Sequence, residues 1–349
     1  MMTQWRNFLT GLAENQGAQI TDGEVISFGD PKAELLATAN GNVVVDLSHM
    51  GLLQVSGVDA VSFLQGQVTN DVKQLDGNHS HYSGYCTPKG RLLAIFLAWA
   101  QQDQLYLQLN GALTESILKR LKMYVMRSKV TLSDVSENFI RLGVAGKDAE
   151  ASLQSIFKTL PVEIHEVVNL EVGTLIRLPG AIPRYEVLCD FDYAKTIWNN
   201  LQTAHTPVGK ACWEWLEIRA GIPDITAATQ EEFVPQMLNL DMLDAINFKK
   251  GCYTGQEIVA RTHYLGKIKR RTQLAHISGN ESPQIGDDLF FNNGTEPAGK
   301  IVRVAAAPHS GFDVLAEVRR IDTESDPAVH WKSNDGVLLR PLNLPYATT

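Results

Sequence analysis

The sequence predicts an α+β protein made of ferredoxin-like units and finished by a small C-terminal β-barrel. Three observations carry that expectation. Strand-like and helix-like periodicities interleave through residues 42–271, and turn signals join several neighbouring strands into hairpins. Beyond Arg271 the pattern changes to short strand segments separated by Gly, Asn, Pro and Asp clusters. We therefore divide the chain into an α+β region, 1–271, with halves near 1–135 and 136–271, and a barrel, 272–349.

The first forty residues are mixed and polar, and Gly29 and Pro31 interrupt any long element. Val43, Val44 and Val45 predict a strand, because β-branched side chains suit a pleated surface. A second strand follows at 52–55. Gly57-Val58-Asp59 then opens a helix with Val61, Leu64 and Val68 on one face. Thr87-Pro88-Lys89-Gly90 is a turn signal between strands 82–86 and 92–99. Residues 105–109 alternate as a half-buried strand, and Leu113, Ile117, Leu118 and Leu121 recur at helical spacing.

The second half repeats this grammar loosely. A strand at 140–144 leads to a helix at 148–157, and strands 174–178 and 185–189 form a hairpin across Pro179-Gly180. Helices follow at 194–201 and 211–220. The barrel strands are expected at 272–277, 288–291, 300–305 and 313–318.

At 349 residues the chain can bury two or three cores. Its net charge of −8 argues against nucleic-acid affinity spread over the whole surface. Between residues 247 and 271, however, Lys249, Lys250, Arg261, Lys267, Lys269, Arg270 and Arg271 face Glu257 alone, which points to a localised anionic partner or to a solvated basic face. The cysteines, Cys86, Cys189, Cys212 and Cys252, show neither metal-ligand spacing nor the density of a disulfide scaffold, so a reducing cytoplasm is expected and no metal site. The longest apolar run, 92–100, is about half a membrane span. The acidic residues near the N-terminus argue against a transit peptide, so no membrane association is expected.

Residues 249–262, KKGCYTGQEIVART, concentrate the chemistry. Gly251 and Gly255 flank the thiol and permit a sharp turn or a close approach. Residues 256–261 are expected to be helical, with Glu257 and Arg261 placed as an i,i+4 pair. Cys252 would then lie just before a helix N-terminus and beside two lysines. Both features favour thiolate, bringing a cysteine pKa from about 8.5 into the range of roughly 3.5–7.5. The alternative is a small cysteine filling space. Lys250 could be the counter-ion or a donor to a ligand carboxylate, Tyr253 and Gln256 would order the loop, and Thr254 belongs to the same motif.

The segment KGCYTGQE, residues 250–257, resembles the signature of the YgfZ family of folate-binding proteins, which are related to the T-protein, the aminomethyltransferase of the glycine cleavage system. Phe233-Val234-Pro235-Gln236, Asn239-Leu240, Ala260-Arg261, Tyr264-Leu265-Gly266, residues 65–71 and Ala220-Gly221-Ile222-Pro223 extend the similarity across about 42–275. The resemblance implies a GcvT-like fold of two intertwined α/β units around a central channel plus a barrel. It also implies tetrahydrofolate binding and a supporting role for iron–sulfur enzymes, including one that thiomethylates tRNA.

By the same resemblance Trp213 contributes to the folate site, the alternative being core packing of its helix. A second family tryptophan is replaced by Met50, whose sulfur can still meet an aromatic ring. The T-protein's catalytic aspartate corresponds to Ala94, and a glutamate of that enzyme corresponds to Arg219, which we place at the folate site. Loss of a positioned carboxylate forfeits a factor of about 10² to 10⁴ in proton transfer, which argues against aminomethyl transfer. The expected function is a folate-binding accessory protein acting through Cys252 and Lys250 on iron–sulfur clients such as a tRNA methylthiotransferase. The alternative is a folate-dependent transferase or demethylase with its own turnover. Direct tRNA binding through 267–271 is a third reading, weakened by the acidic net charge and by the lack of an aromatic-interleaved basic surface in the sequence.

Overall fold

The structure, a computed structural model, describes residues 1–14, 17–21, 24–266, 268–292, 294–320 and 327–346. Two sheets face each other. The first has the order Val167–Leu170, Gly173–Leu178, Arg184–Cys189, Ile140–Ala145, Val43–Asp46, Thr206–Val208. It is antiparallel except where Thr206–Val208 runs parallel to Val43–Asp46. The second is fully antiparallel, in the order Ser80–Cys86, Leu92–Gln101, Gln104–Leu109, Gly51–Ser56, Thr131–Asp134. Val43–Asp46 belongs to the sheet built mostly by the second half of the α+β region, so the two halves are intertwined.

Alternation along the strands gives the first sheet two apolar faces. Val44, Leu142, Val144, Tyr185 and Val187 pack on a satellite core with Trp5, Leu9 and Trp198. Val43, Val45, Ile176, Leu178 and Leu188 turn instead into the larger core shared with the second sheet. The barrel closes in the order Arg270–Ile277, Phe312–Arg319, Pro297–Ala306, Asp288–Phe291, Val329–Trp331, Val337–Leu342, with its own core around Leu289, Ile301 and Trp331. Full closure leaves the barrel no exposed sheet edge.

Several sequence expectations need correction. The first forty residues hold two helices, Met2–Glu14 and Pro31–Asn40. The first buries Met2, Trp5, Leu9 and Ala13 in helical register. The second starts at Asp30, whose carboxylate accepts from the Lys32 and Ala33 amides, and Pro31 fits the first turn, where no amide donor is needed. The helix expected after Gly57 spans only Ala60–Gln65, and Val61 is exposed because the buried face runs through Ala60, Phe63 and Leu64. The helix expected at 148–157 is limited to Ala149–Gln154. Strand Gln104–Leu109 is buried on both faces from Leu105 onward. No helix among the described residues is long and apolar enough to cross a membrane.

Candidate functional site: a two-chambered cavity between the sheets

Gln108 and Glu186 meet across the gap between the sheets, where Gln108 Nε2 donates to Glu186 Oε2 at 2.9 Å. They line an inner chamber of about 60 Å³, together with Met50, Tyr82, Ile95, Leu97 and Trp213. Asn110, Glu214, Asp224 and Arg303 are shared with an adjoining outer chamber of about 380 Å³, which also presents His49 and Lys210.

Helix Lys210–Arg219 carries Trp213 into the inner chamber. Its start is held by the buried carboxylate of Glu34, which accepts from the Gly209 amide at 2.8 Å and from Ser27 Oγ at 2.6 Å. A carboxylate there also complements the positive end of the helix. Gly143 makes room for the indole, because a Cβ at that position would lie 2.6 Å from Trp213 Cζ3. The Arg184 guanidinium sits 5.2 Å from the indole centroid and pairs with Glu217 at 2.9 Å.

The barrel completes the wall through Arg303. Its guanidinium bonds Glu214, donates to the Ile222 carbonyl at 3.0 Å and lies 3.6 Å from Glu217. Asp224 accepts from Asn110 Nδ2 at 2.7 Å, and burial holds its pKa above the usual carboxylate range despite Arg303.

Glu186 differs from these paired carboxylates. Burial pushes its pKa up to about 7, against the lowering effects of the Gln108 hydrogen bond and the Arg141 charge. Glu186 Oε1 and Gln108 Oε1 are both buried without a hydrogen-bond partner among the described residues. Two buried acceptors without partners are costly unless a ligand supplies donors. The sequence reading missed this pair. Its signal was a glutamate inside the apolar strand Arg184–Cys189 and a glutamine inside Gln104–Leu109.

The motif loop lies outside both chambers. Lys250 is buried, and its ammonium donates to the carbonyls of Val68 and Asn70, each at 2.6 Å. Burial lowers its pKa to about 8. Asn70 in turn donates to the Tyr82 carbonyl at 3.0 Å, so a polar chain links the loop to a residue lining the inner chamber. Gly255 adopts φ 85° and packs on the 87–90 turn, where a Cβ would lie 2.5 Å from the Thr87 carbonyl. Helix Gln256–Tyr264 follows it and is tied to the chain below by Gln236 Nε2 donating to the Val259 carbonyl at 2.7 Å. Thr254 donates its amide to Gly66, and Tyr253 lies under the Lys250 ammonium at 5.1 Å. Gly251 and Cys252 remain exposed, and Cys252 is the one cysteine that is not buried.

The residues singled out from sequence therefore divide. Trp213 and Met50 line the inner chamber, whereas Cys252, Lys250 and the rest of the motif do not. Arg219 lines neither chamber. It sits 3.7 Å from Asp313, beside Trp215, which donates to the same carboxylate. Ala94 pairs with Tyr85 on the face opposite the chamber, and the positions that do face it, Ile95 and Leu97, are equally without a carboxylate. No ion pair joins Glu257 and Arg261 in the described structure; both face solvent. The basic patch is also smaller than expected. Arg270 pairs with Glu317 at 3.0 Å and Arg271 with Asp241 at 2.9 Å, because each side of strand Arg270–Ile277 meets a carboxylate. Lys267 lies outside the described residues.

The chain matches the family described as GCVT N-terminal domain over residues 25–250. It is 34% identical to the tRNA-modifying protein YgfZ of Enterobacter sp. (strain 638) over 87% of this chain and 93% of that protein. The Escherichia coli O7:K1 protein of the same name is 33% identical over the same shares. This chain belongs to the YgfZ family. A solved structure of the glycine cleavage aminomethyltransferase T from Bartonella henselae superposes on this YgfZ chain with a TM-score of 0.78, covering 97% of it and 96% of the enzyme, at 17% identity. That likeness establishes a GcvT-like fold. Within it, residues 250–257 lie apart from both chambers, with Gly251 and Cys252 exposed and Lys250 and Tyr253 buried, and are joined to the cavity wall through Lys250, Asn70 and Tyr82.

Proposed function

We propose that this protein binds a reduced folate in the two-chambered cavity and uses Cys252 in a supporting role for an iron–sulfur enzyme that modifies tRNA. The observation that carries the folate reading is the orphaned acceptor pair, Glu186 Oε1 and Gln108 Oε1, beside the Trp213 ring. A pterin presents a flat heteroaromatic ring with adjacent N–H donors along one edge. An ionised carboxylate and an amide oxygen match those donors, and an indole offers an apolar face. Lys210 in the outer chamber would meet the acidic tail of the ligand. When bound, folate would supply a one-carbon carrier.

The inner chamber is narrower than a pterin, so binding requires it to open. Met50 is the adaptable part of its wall, an unbranched thioether that can repack and still cover an apolar ring. The accessory role is supported by the name that the relatives carry, tRNA-modifying protein, and by the exposure of Cys252 outside the cavity. Among the described residues no group of three or more Cys, His, Asp and Glu side chains is placed to hold a metal. A cluster on Cys252 would take its remaining ligands from the client.

Titration of tetrahydrofolate into wild type and Glu186→Gln tests the cavity. Saturable binding that Glu186→Gln weakens at least tenfold is expected, and no binding to wild type would overturn the folate reading. Glu186 also favours a second reading, a folate-dependent transferase or demethylase, because a carboxyl with a pKa near 7 suits general acid–base work. That reading requires steady one-carbon turnover by the purified protein, lost in Glu186→Gln.

A further inference from the structure

Phe248, just before the thiol loop, meets two consecutive rings, His263 and Tyr264, at the end of helix Gln256–Tyr264. Phe248 and His263 stack with centroids 3.8 Å apart and planes at 15°. Tyr264 meets His263 edge to face at 4.8 Å and Phe248 at 6.1 Å. Phe248 is half-buried against the main core, whereas His263 and Tyr264 are exposed. Tyr264 is 65% exposed and the adjoining Leu265 is 84% exposed, so apolar side chains face solvent here. Lys249 follows Phe248 directly, and Arg261 lies one helical turn before Leu265, whose amide bonds the Arg261 carbonyl at 3.0 Å. Both cations are exposed, and neither forms an ion pair with a described residue. The exposed acids nearest in sequence are Asp244 and Glu257.

Ring stacks flanked by free cations fit an unpaired nucleobase and its neighbouring phosphates. The π-faces accept the base while Lys and Arg neutralise the backbone. A double helix would offer phosphates but no base face. A protein partner would have to place carboxylates opposite both cations as well as an apolar face on the rings, whereas an RNA loop carries a phosphate beside every base. We propose that Phe248, His263 and Tyr264, with Lys249 and Arg261, form a stacking platform for an unpaired base in the loop of a folded RNA. This goes beyond the folate reading, which needs no contact between this chain and RNA. It also corrects the sequence expectation that aromatic and basic residues do not interleave here, since folding brings Phe248 against the end of helix Gln256–Tyr264.

Fluorescence anisotropy with a labelled RNA stem–loop, and with the same stem closed as a blunt duplex, tests the platform at physiological salt. The stem–loop should bind more tightly than the duplex. Tyr264→Ala should weaken stem–loop binding by about 5- to 150-fold, the range for loss of one stacked base, and Tyr264→Phe should retain it. Lys249→Gln with Arg261→Gln should flatten the salt dependence by about 0.7 in slope for each phosphate left without its cation. Because Tyr264 is exposed, circular dichroism and tetrahydrofolate affinity should be unchanged in Tyr264→Ala, which separates this proposal from the folate reading. Equal binding of stem–loop and duplex, unaltered affinity of Tyr264→Ala, absence of saturable RNA binding, or an effect of Tyr264→Ala only on capture of a protein client would each overturn it.

Discussion

Gln108 donates to Glu186 across the space between two sheets, at 2.9 Å, and leaves one acceptor oxygen on each residue without a partner. The bond does two things. It fixes a carboxyl group in the gap between the sheets, and it places both residues in the wall of the chamber that Trp213 also lines. A sheet-to-sheet contact made by hydrophobic side chains would be more stable. The polar pair is what a ligand rich in N–H donors would repay.

Folate affinity should depend on pH through Glu186. The ionised carboxylate is the better acceptor, and it forms above a pKa of about 7. Calorimetric titration at pH 8 and pH 6 should show weaker binding at the lower pH, and Glu186→Gln should bind weakly at both. A pH-independent wild-type affinity would exclude Glu186 from contact with the ligand.

Stability without ligand should show the opposite trend. The folded-state pKa of Glu186 is raised from 4.5 to about 7, so its contribution is fully present below about pH 4.5 and is lost as pH rises through 7. Glu186→Gln removes that loss. In urea denaturation the variant should exceed wild type at pH 8 by on the order of 3 kcal/mol, and the difference should largely disappear by pH 5. Equal midpoints at pH 8 would show that the carboxyl is not desolvated.

Trp213 should be separable into packing and binding roles. Trp213→Ala should cost about 3–5 kcal/mol and abolish tetrahydrofolate binding, whereas Trp213→Phe should fold and keep part of the affinity. Gly143→Ala should displace the indole, since its Cβ would lie 2.6 Å from Trp213 Cζ3, and lower stability by about 1–3 kcal/mol. Unchanged tetrahydrofolate affinity in Trp213→Phe and Gly143→Ala together would remove the stacking role.

Cys252 and Lys250 should behave differently although they are two residues apart. Cys252→Ala, at an exposed position, should change stability by less than about 0.5 kcal/mol and leave folate affinity intact. It should nonetheless fail to restore tRNA thiomethylation in cells lacking the protein; full rescue would end the thiol proposal. In native protein, Cys252 should react with a thiol reagent well before Cys86, Cys189 and Cys212, which are buried. Lys250→Met should lower the urea midpoint, because it leaves the Val68 and Asn70 carbonyls unpaired at a cost of about 1–3 kcal/mol each.

Arg303 should be needed for the barrel to stay docked on the cavity. Arg303→Ala takes the cation from half-buried Glu214 and the donor from the Ile222 carbonyl, while Glu217 keeps Arg184, and should destabilise the protein by about 1–3 kcal/mol. Limited proteolysis should then cut between the α+β region and the barrel. A variant as resistant as wild type would show that the remaining contacts, among them Arg219 and Trp215 with Asp313 and Arg271 with Asp241, hold the joint.

Much of the secondary structure was legible, because periodicity and turn chemistry are local. The valine run at 43–45, the hairpin across Pro179-Gly180 and four of the six barrel strands stand close to where their patterns place them, whereas Val329–Trp331 and Val337–Leu342 were not anticipated. The N-terminal helix was missed although Met2, Trp5, Leu9 and Ala13 carry its register, since the intervening polar residues masked a narrow apolar stripe. The motif loop was legible as a motif and misread in its parts. Lys250 looks like a free cation in sequence, and only the position of two carbonyls from residues 68 and 70 makes it an internal strut.

By itself the sequence determined the class of fold, the order of most elements, the family signature at 250–257 and Trp213 as a ring to watch. Tertiary structure alone decided that Glu186 and Gln108 face each other, that Arg303 reaches from the barrel to the cavity, and that Phe248 stacks on His263. The physical reason is that periodicity reports which face of an element is buried, whereas a site is made by side chains from distant elements. Their meeting is set by sheet order and register, and a one-residue change in register would send Glu186 to the other face of its strand.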